Sequence, residues 1–407
     1  MNISSADCCA NPEQELLSIE EGLRRILKAV PVVTRTEQLH LRAALKRTLA
    51  ENVTARQDVP PFDNSAMDGY ALRSTDCRNK EKMQLQVIGT SFAGSPFDGC
   101  LEQGQCLRIM TGAVLPDGAD AVLMQEHVKR VGDRISFTGS DIRAGHNVRY
   151  AGEDTHRGDT ILEAGVHLGP AELGLLASVG VAEVRVRQRP RVAFFSTGDE
   201  LCGAGTVLKK GQIYDSNRYA LYGLLSEAGV EFVDLGTVAD RRDAVQDAFR
   251  QAGDMADLVI TSGGVSVGEA DYVTETLQKM GHIGFWRLAM KPGKPLAFGR
   301  IGDAVFIGLP GNPVSAMVTF YRFVLPAIRK MHGLPQRDDL LIQARSTNSL
   351  KKSVGRAELQ RGILKREPDG SWSVATTGQQ GSHLLSSMTK ANCLIMLAAE
   401  NSGVQAG

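Results

Sequence analysis

The sequence predicts a multidomain chain. Its centre is an open, mostly parallel α/β sheet domain, preceded by a helical and β-rich front and followed by a small β tail. Three observations lead there. A length of 407 residues accommodates two to four domains, each with its own core. From Arg191 to Met331, short apolar runs alternate with segments of helical periodicity, as in right-handed βαβ units around a parallel sheet. Between Val53 and Ile161, and again after Pro335, the runs are short and broken by Gly, Pro and Asp, the texture of β-rich modules.

In chain order, Leu16, Ile19, Leu23, Ile26, Leu27 and Val30 recur at helical spacing and predict an amphipathic helix over Pro12–Val30. A second helix is expected near Ala43–Ala50. Strands follow at Leu85–Gly89, Cys106–Met110 and Ala121–Met124, then a helix within Gly169–Gly180. The central strands are Val192–Phe195, Glu231–Leu235, Asp257–Thr261, Trp286–Met290, Pro295–Gly299 and Ala304–Gly308. Their helices are Asn217–Ala228, Arg242–Ala252, Tyr272–Met280 and Asn312–Met331, and the charged run Lys365–Gly370 reads as a hairpin turn.

Composition excludes several classes. With 46 Lys+Arg against 46 Asp+Glu, the formal net charge of +0 argues against nucleic acid as the main partner. The seven cysteines are odd in number and scattered without a C-x-x-C pair, which places the chain in a reducing compartment with most of them as small core residues. The opening MNISSADCCANPEQELL lacks the basic and apolar regions of a signal peptide, and no apolar run reaches the roughly 18 residues of a membrane span. A cytoplasmic protein is expected. The eight histidines form no H-E-x-x-H and receive no metal role.

In an open α/β sheet, ligands bind beyond the carboxyl ends of the strands. Three strand ends carry the chain's most unusual sequences: STGDE (Ser196, Thr197, Gly198, Asp199, Glu200), TSGGVSVGEAD (Thr261–Asp271) and GLPGNPVS (Gly308–Ser315). One such loop is ordinary turn chemistry; three on one edge make a pocket. In the middle loop, Ser262, Gly263, Gly264 and Ser266 offer hydroxyls and flexible N–H groups suited to an anion. It lacks the G-K-[ST] ending of a P-loop, and no G-x-G-x-x-G follows the first strand, so nucleotide-triphosphatase and dinucleotide readings are disfavoured. It ends in Glu269 and Asp271, acids able to hold a divalent cation or to pair with a helix dipole. KPGKP puts Lys291 and Lys294 in a proline-restricted turn on the same edge, suited to an oxyanion. The β-rich module adds a second acidic set: Asp63 and Asp68, Thr111 after a strand, and Arg149, Glu153 and Asp154 in RYAGED.

Taken in order, PPFDNSAMDGYA, IMTGAVLPDGAD, RYAGED, FSTGDEL, IYDSN, TSGGVSVGEAD, KPGKP and GLPGNPVSA resemble the molybdopterin molybdenumtransferases of MoeA type, which include the E domain of gephyrin. The resemblance runs from about Glu15 to nearly the C-terminus. It implies insertion of molybdate into adenylylated molybdopterin with release of AMP, by a homodimer of four-domain subunits. The implied domains are 1–52 with 149–185 (dimerisation, helical and β), 53–148 (inserted, β-rich), 186–334 (MogA-like, molybdopterin-binding) and 335–407 (C-terminal, small and β-barrel-like). It places activity on Asp68, Thr111, Asp154, Glu200, Asp271 and Lys291, with Mg²⁺ on Glu200 and Asp271. Substrate contacts are implied at Arg149, Asp240, Arg287, Lys294, Pro310, Asn312, Pro313, Ser315 and Arg356, besides the loop residues above, with backbone donors at the Asn312–Pro313 helix start. Asp68 and Asp154 would come from the partner subunit. Other proteins of molybdenum cofactor biosynthesis and apo-molybdoenzymes are the implied partners, with no nucleic acid and no membrane. Two departures stand out. Arg287 replaces a common Lys, and the chain ends at SGVQAG where relatives continue into a further strand, leaving an edge expected to be incomplete. The alternatives are a molybdopterin adenylyltransferase, which shares the α/β domain, and a non-catalytic scaffold of the same fold.

Overall fold

The computed structural model describes residues 16–77, 82–138, 142–263, 276 and 283–407. The chain forms two compact units, one of residues 37–186 and one of residues 1–36 with 187–407.

In the unit of residues 37–186, six strands form a mixed sheet in the order Ala121–Met124, Gly69–Leu72, Gln105–Ile109, Met83–Ser91, Arg134–Phe137 and Lys129–Val131. Strand alternation gives it two apolar faces: Tyr70, Leu72, Cys106 and Leu123 pack on one core, and Ala71, Leu107, Ile109 and Val122 on another. A third core gathers Leu49, Leu168, Leu176, Val179, Val184 and Val186 beside the helix Pro170–Ser178. That helix starts with Pro170 in its first turn and with the Glu172 carboxylate accepting from the Gly169 N–H at 2.9 Å. The helix expected near Ala43–Ala50 is not formed. A single tight turn, Leu41–Ala44, is followed by Lys46 at φ 61°. The N–H groups of Lys46 and Leu49 then go to the carbonyls of Leu168 and Val166, so backbone pairing across the core displaces local helix.

The other unit holds the central sheet. Its strands are β1 (Arg191–Thr197), β2 (Glu231–Val238), β3 (Leu258–Ser262), β4 (Ile283–Arg287), β5 (Pro295–Ile301) and β6 (Ala304–Leu309), in the order β2-β1-β3-β6-β5-β4. The first four in that order are parallel, while β5 runs antiparallel to both neighbours. The sheet is therefore mixed but mostly parallel. Val192, Phe194, Leu258, Ile260, Val305 and Ile307 face one core, and Ala193, Phe195, Val259 and Phe306 the other. Burial on both faces is why these strands read as continuous apolar runs.

Three expectations change here. The strand expected over Trp286–Met290 is split: β4 ends at Arg287, and Met290–Lys291 leaves the sheet to pair in parallel with Ala357–Glu358 of the tail. The first helix is Ile19–Ala29, capped by the Ser18 hydroxyl accepting from the Glu21 N–H at 3.1 Å, and Leu16 lies outside it, exposed. Ile19, Ile26, Val30 and Val33 join the α/β core, and a Cβ on Gly22 would meet Leu288 and Phe323 at 3.1 and 3.3 Å. The helix Pro313–Met331 contains one wider π turn, Phe320–Val324, just before Pro326, which has no N–H to give. The helix expected over Tyr272–Met280 lies outside the described residues, except for a buried Thr276.

The tail is built on the ten-residue strand Ala357–Arg366. It pairs antiparallel with Trp372–Thr376 through the expected hairpin and antiparallel with Cys393–Leu397, while Arg345–Ser346 adds in parallel to Trp372–Thr376. The terminal edge expected to be incomplete is in use: Gly403–Val404 pairs with Leu350–Lys351, and the Gly407 N–H donates to Ser346. Of the described cysteines only Cys77 and Cys106 are buried; Cys202 and Cys393 are half-buried and Cys100 is exposed, so the core role expected for most is confined to two. Among the described residues, no helix is long and apolar enough to cross a membrane.

Candidate active site

The parallel register of β1, β3 and β6 sets Ser196 opposite Ser262 and Ser262 opposite Leu309. The loops after these strands therefore leave from one edge, as the sequence predicts. Gly263 lies at φ 92°, where a side chain is strained, and a Cβ there would meet the Thr197 carbonyl at 3.1 Å. A Cβ on Gly311 would sit 3.8 Å from the Gly263 Cα, so these two loops run side by side. Asn217, at the start of the helix Ser216–Glu227, clamps them by donating at 2.7 Å to the Ser262 hydroxyl and at 2.7 Å to the Gly311 carbonyl. The IYDSN motif carries this residue, but no pattern in the sequence marks its bridging role. Buried at the same edge, the Ser196 and Thr261 hydroxyls and the Asn217 carbonyl oxygen have no partner among the described residues. Unpaired buried polar atoms in a glycine-rich edge suit a polar ligand.

Glu200 lies just beyond this edge, exposed, on a turn held by the Ile213 N–H donating to the Glu200 carbonyl. Gly198, at φ 143°, leaves room for the Glu200 carboxylate, which a Cβ would approach to 2.6–2.8 Å. Asp240, in the loop after β2, donates its N–H to Asp199 at 3.1 Å. Desolvation, then the Asp199 and Glu200 charges, push its carboxyl above the ordinary value. Acidic charge thus accumulates here, which fits a cation. Gly264, Ser266, Glu269 and Asp271 lie outside the described residues, and among those described no group of three His, Cys, Asp or Glu side chains is placed to hold a metal ion.

The KPGKP turn packs on the helix that follows β6. A Cβ on Gly293 (φ 99°) would meet the Thr319 hydroxyl at 2.6 Å and the Ser315 carbonyl at 3.8 Å, which brings the Lys291–Lys294 turn to the buried Ser315. Lys294 and Arg287 are exposed, and Arg356 adjoins Ala357, whose N–H donates to Ala289. Lys291 is engaged in an ion pair with Glu358 at 3.2 Å, which the sequence reading did not foresee. The backbone donors expected at Asn312–Pro313 need correction. Pro313 has no N–H, and the Val314 N–H is taken by the Ser382 carbonyl of the tail at 3.1 Å. Pro310 is buried and Asn312 exposed at this turn. Nearby, an apolar cleft of about 800 Å³ is lined by Tyr214, Tyr219, Met317, Leu385 and Met388, and it includes none of the expected site residues.

In the unit of residues 37–186, Asp68 accepts from both the N–H and the hydroxyl of Thr111 at 2.8 Å. These two bonds, helped by the Arg108 charge, hold its carboxyl below the ordinary value, so it is an ionised acceptor. Gly69 cannot be replaced in this motif, since a Cβ would lie 2.1 Å from the Leu123 carbonyl. Arg149 pairs with Asn64 across a short antiparallel ladder, and the Ala151 N–H donates to Asp63 at 2.8 Å. The Gly152 and Asp154 N–H groups donate to the Pro60 and Val59 carbonyls. The motifs PPFDNSAMDGYA and RYAGED, far apart in the chain, are thus laced together.

Comparison with known proteins follows the same order of parts. Residues 17–180 match the MoeA N-terminal region (domain I and II), residues 193–330 a probable molybdopterin binding domain, and residues 343–407 the MoeA C-terminal region (domain IV). A molybdopterin molybdenumtransferase of Haemophilus influenzae is 46% identical over 96% of this chain and 97% of its own length; one from Nostoc sp. is 37% identical over 98% and 93%. The crystal structure of a molybdopterin biosynthesis MoeA protein from Pyrococcus horikoshii superposes with a TM-score of 0.81 at 29% identity, covering 97% of this chain and 98% of that one. The chain belongs to the MoeA family of molybdopterin molybdenumtransferases.

Proposed function

We propose that this protein is the molybdopterin molybdenumtransferase of molybdenum cofactor biosynthesis, taking molybdate and adenylylated molybdopterin and releasing AMP as the cofactor forms. The observation that carries this reading is the clamped edge of β1, β3 and β6. Buried hydroxyls without partners among the described residues, an acidic turn and a lysine turn there serve one polar, phosphate-bearing ligand and one oxyanion. Molybdate, a tetrahedral dianion, would be bound by Lys291 and Lys294, with the Ser315 hydroxyl as a further donor and Arg356 and Arg287 at the margin. Ser196, Thr197, Gly198, Ser262, Gly263, Gly264 and Ser266 would hold the pterin phosphate side. Mg²⁺ on Glu200 and Asp271 would supply charge neutralisation at a phosphoanhydride; Asp240, raised first by burial and then by the Asp199 and Glu200 charges, adds to the acidic surroundings that support a cation there.

Asp68, ionised by its bonds to Thr111, serves as an acceptor that orients N–H groups of the pterin, and Arg149 and Asp154 complete that side. A homodimer in which these residues join the partner's Glu200 and Asp271 follows from the same reading. Separate apolar cores support a four-domain division, and partner strands on both edges of Ala357–Arg366 support closure of the tail into a small barrel. The test is incubation with adenylylated molybdopterin, molybdate and Mg²⁺, following AMP and cofactor. Formation of both supports the proposal. Adenylylation of molybdopterin from ATP instead would make the protein the preceding enzyme, and mixed Asp68→Ala and Asp271→Ala dimers that exchange subunits yet stay inactive would refute the shared cleft.

A further inference from the structure

Glu358 is a carboxylate only 5% exposed, placed opposite Lys291 by the parallel pairing of Met290–Lys291 with Ala357–Glu358. Its Oε1 accepts from the Lys291 ammonium at 3.2 Å and from the Gln360 side-chain amide at 3.2 Å. Gln360 is fixed in turn by donating to the Lys351 carbonyl at 2.9 Å. The lysine side chain is 51% exposed, so its ammonium is held on one side by the buried carboxylate and keeps two further N–H donors. A free lysine is a mobile point charge; this one is aimed.

We propose that Glu358 is a positioning residue for molybdate transfer: it fixes the Lys291 ammonium in one orientation and partly neutralises it, so that the dianion is bound for reaction rather than trapped. The two effects have opposite signatures. Removing the carboxylate charge strengthens the attraction between Lys291 and a dianion bound on its far side, while removing the anchor costs orientation. The inference rests on the placement of molybdate at Lys291 proposed above.

The experiment is a double-mutant cycle of Glu358→Gln and Lys291→Met in the full-length protein, measuring KM for molybdate, kcat and melting temperature. Glu358→Gln is expected to lower KM about three- to tenfold and kcat about tenfold, and to have neither effect when Lys291 is already Met. Unchanged kinetics with a wild-type melting temperature would overturn the proposal, as would equal effects in both backgrounds, the mark of a purely structural carboxylate. If Lys291→Met leaves KM for molybdate unchanged, the placement of molybdate itself fails and the proposal falls with it. Should the Gln variant not fold, Glu358→Asp keeps the charge but withdraws it by one methylene. A fall in kcat without a fall in KM then supports the proposal, and an unchanged kcat overturns it.

Discussion

Replacing Asn217 by Ala tests whether the loops after β3 and β6 are clamped as described. The side chain is 8% exposed and donates two bonds of 2.7 Å, to the Ser262 hydroxyl and the Gly311 carbonyl. Ser262 can rotate its hydroxyl to another neighbour, so that lost bond costs about 0.5–1.5 kcal/mol. The Gly311 carbonyl has no such freedom, and a buried acceptor left unpaired costs about 1–3 kcal/mol. Together the change destabilises the α/β unit by about 3 kcal/mol. At roughly 2–4 °C per kcal/mol for a unit of such size, its melting transition falls by about 6–12 °C. Asn217→Asp sharpens the assay because it keeps shape and removes both donors. Its carboxylate would then face the Gly311 oxygen, so Asp is expected to be at least as damaging as Ala. Calorimetry of the two variants decides the matter. A loss below about 1 kcal/mol for Ala, or an Asp variant more stable than Ala, would falsify the clamp.

The remaining expectations concern charge and space at the site and at the opposite end of the central sheet. Thr111→Val removes one of the two donors to Asp68, so its titration by carbon-13 NMR should move up towards the ordinary 3.8 while staying below it, since the Thr111 N–H remains; an Asp68 that already titrates at 3.8 in the wild type contradicts this. Because the folded value is depressed, whatever Asp68 contributes is complete above that ordinary value and is lost as pH falls through the lower one. Burial raises the Asp257 carboxyl, but the Arg35 fork at 2.9 and 2.7 Å and the Arg191 N–H at 2.8 Å outweigh it and leave a net lowering. Arg35→Ala should therefore cost about 1–2 kcal/mol at neutral pH in urea unfolding. That cost should vanish as pH falls through the depressed value, and a pH-independent cost would point to lost packing instead. Gly198→Ala forces a Cβ into the space of the Glu200 carboxylate, so under the proposed placement of Mg²⁺ the concentration for half-maximal AMP release should rise about tenfold or more; an unchanged Mg²⁺ requirement refutes that placement at Glu200.

The central domain was legible before any coordinates because its strands are buried on both faces. Val192–Phe195 and Ala304–Gly308 read as uninterrupted apolar runs, and the structure extends each by only a few residues. The helix near Ala43–Ala50 failed for the opposite reason. Its backbone donors are claimed by Leu168 and Val166, partners more than a hundred residues away that no local pattern reveals. Met290 looked like the end of a central strand because apolar periodicity does not say which sheet a residue joins; the pairing with Ala357 does.

The site divides along the same line. By itself the sequence determined which chemical groups are present and in what order: hydroxyls and glycines after β1, β3 and β6, lysines in a proline-bounded turn, acids in the motifs around Asp68 and Asp154. Those depend on residue type and local turn geometry, which are written along the chain. Only the tertiary structure decided which of these groups are already occupied. Val314 has spent its N–H on Ser382, Lys291 is held by Glu358, Asp68 by Thr111, and Asn217 joins two loops. The physical reason is that a hydrogen bond or ion pair forms between whatever the fold brings within about 3 Å, and a linear pattern holds no record of distances across the core.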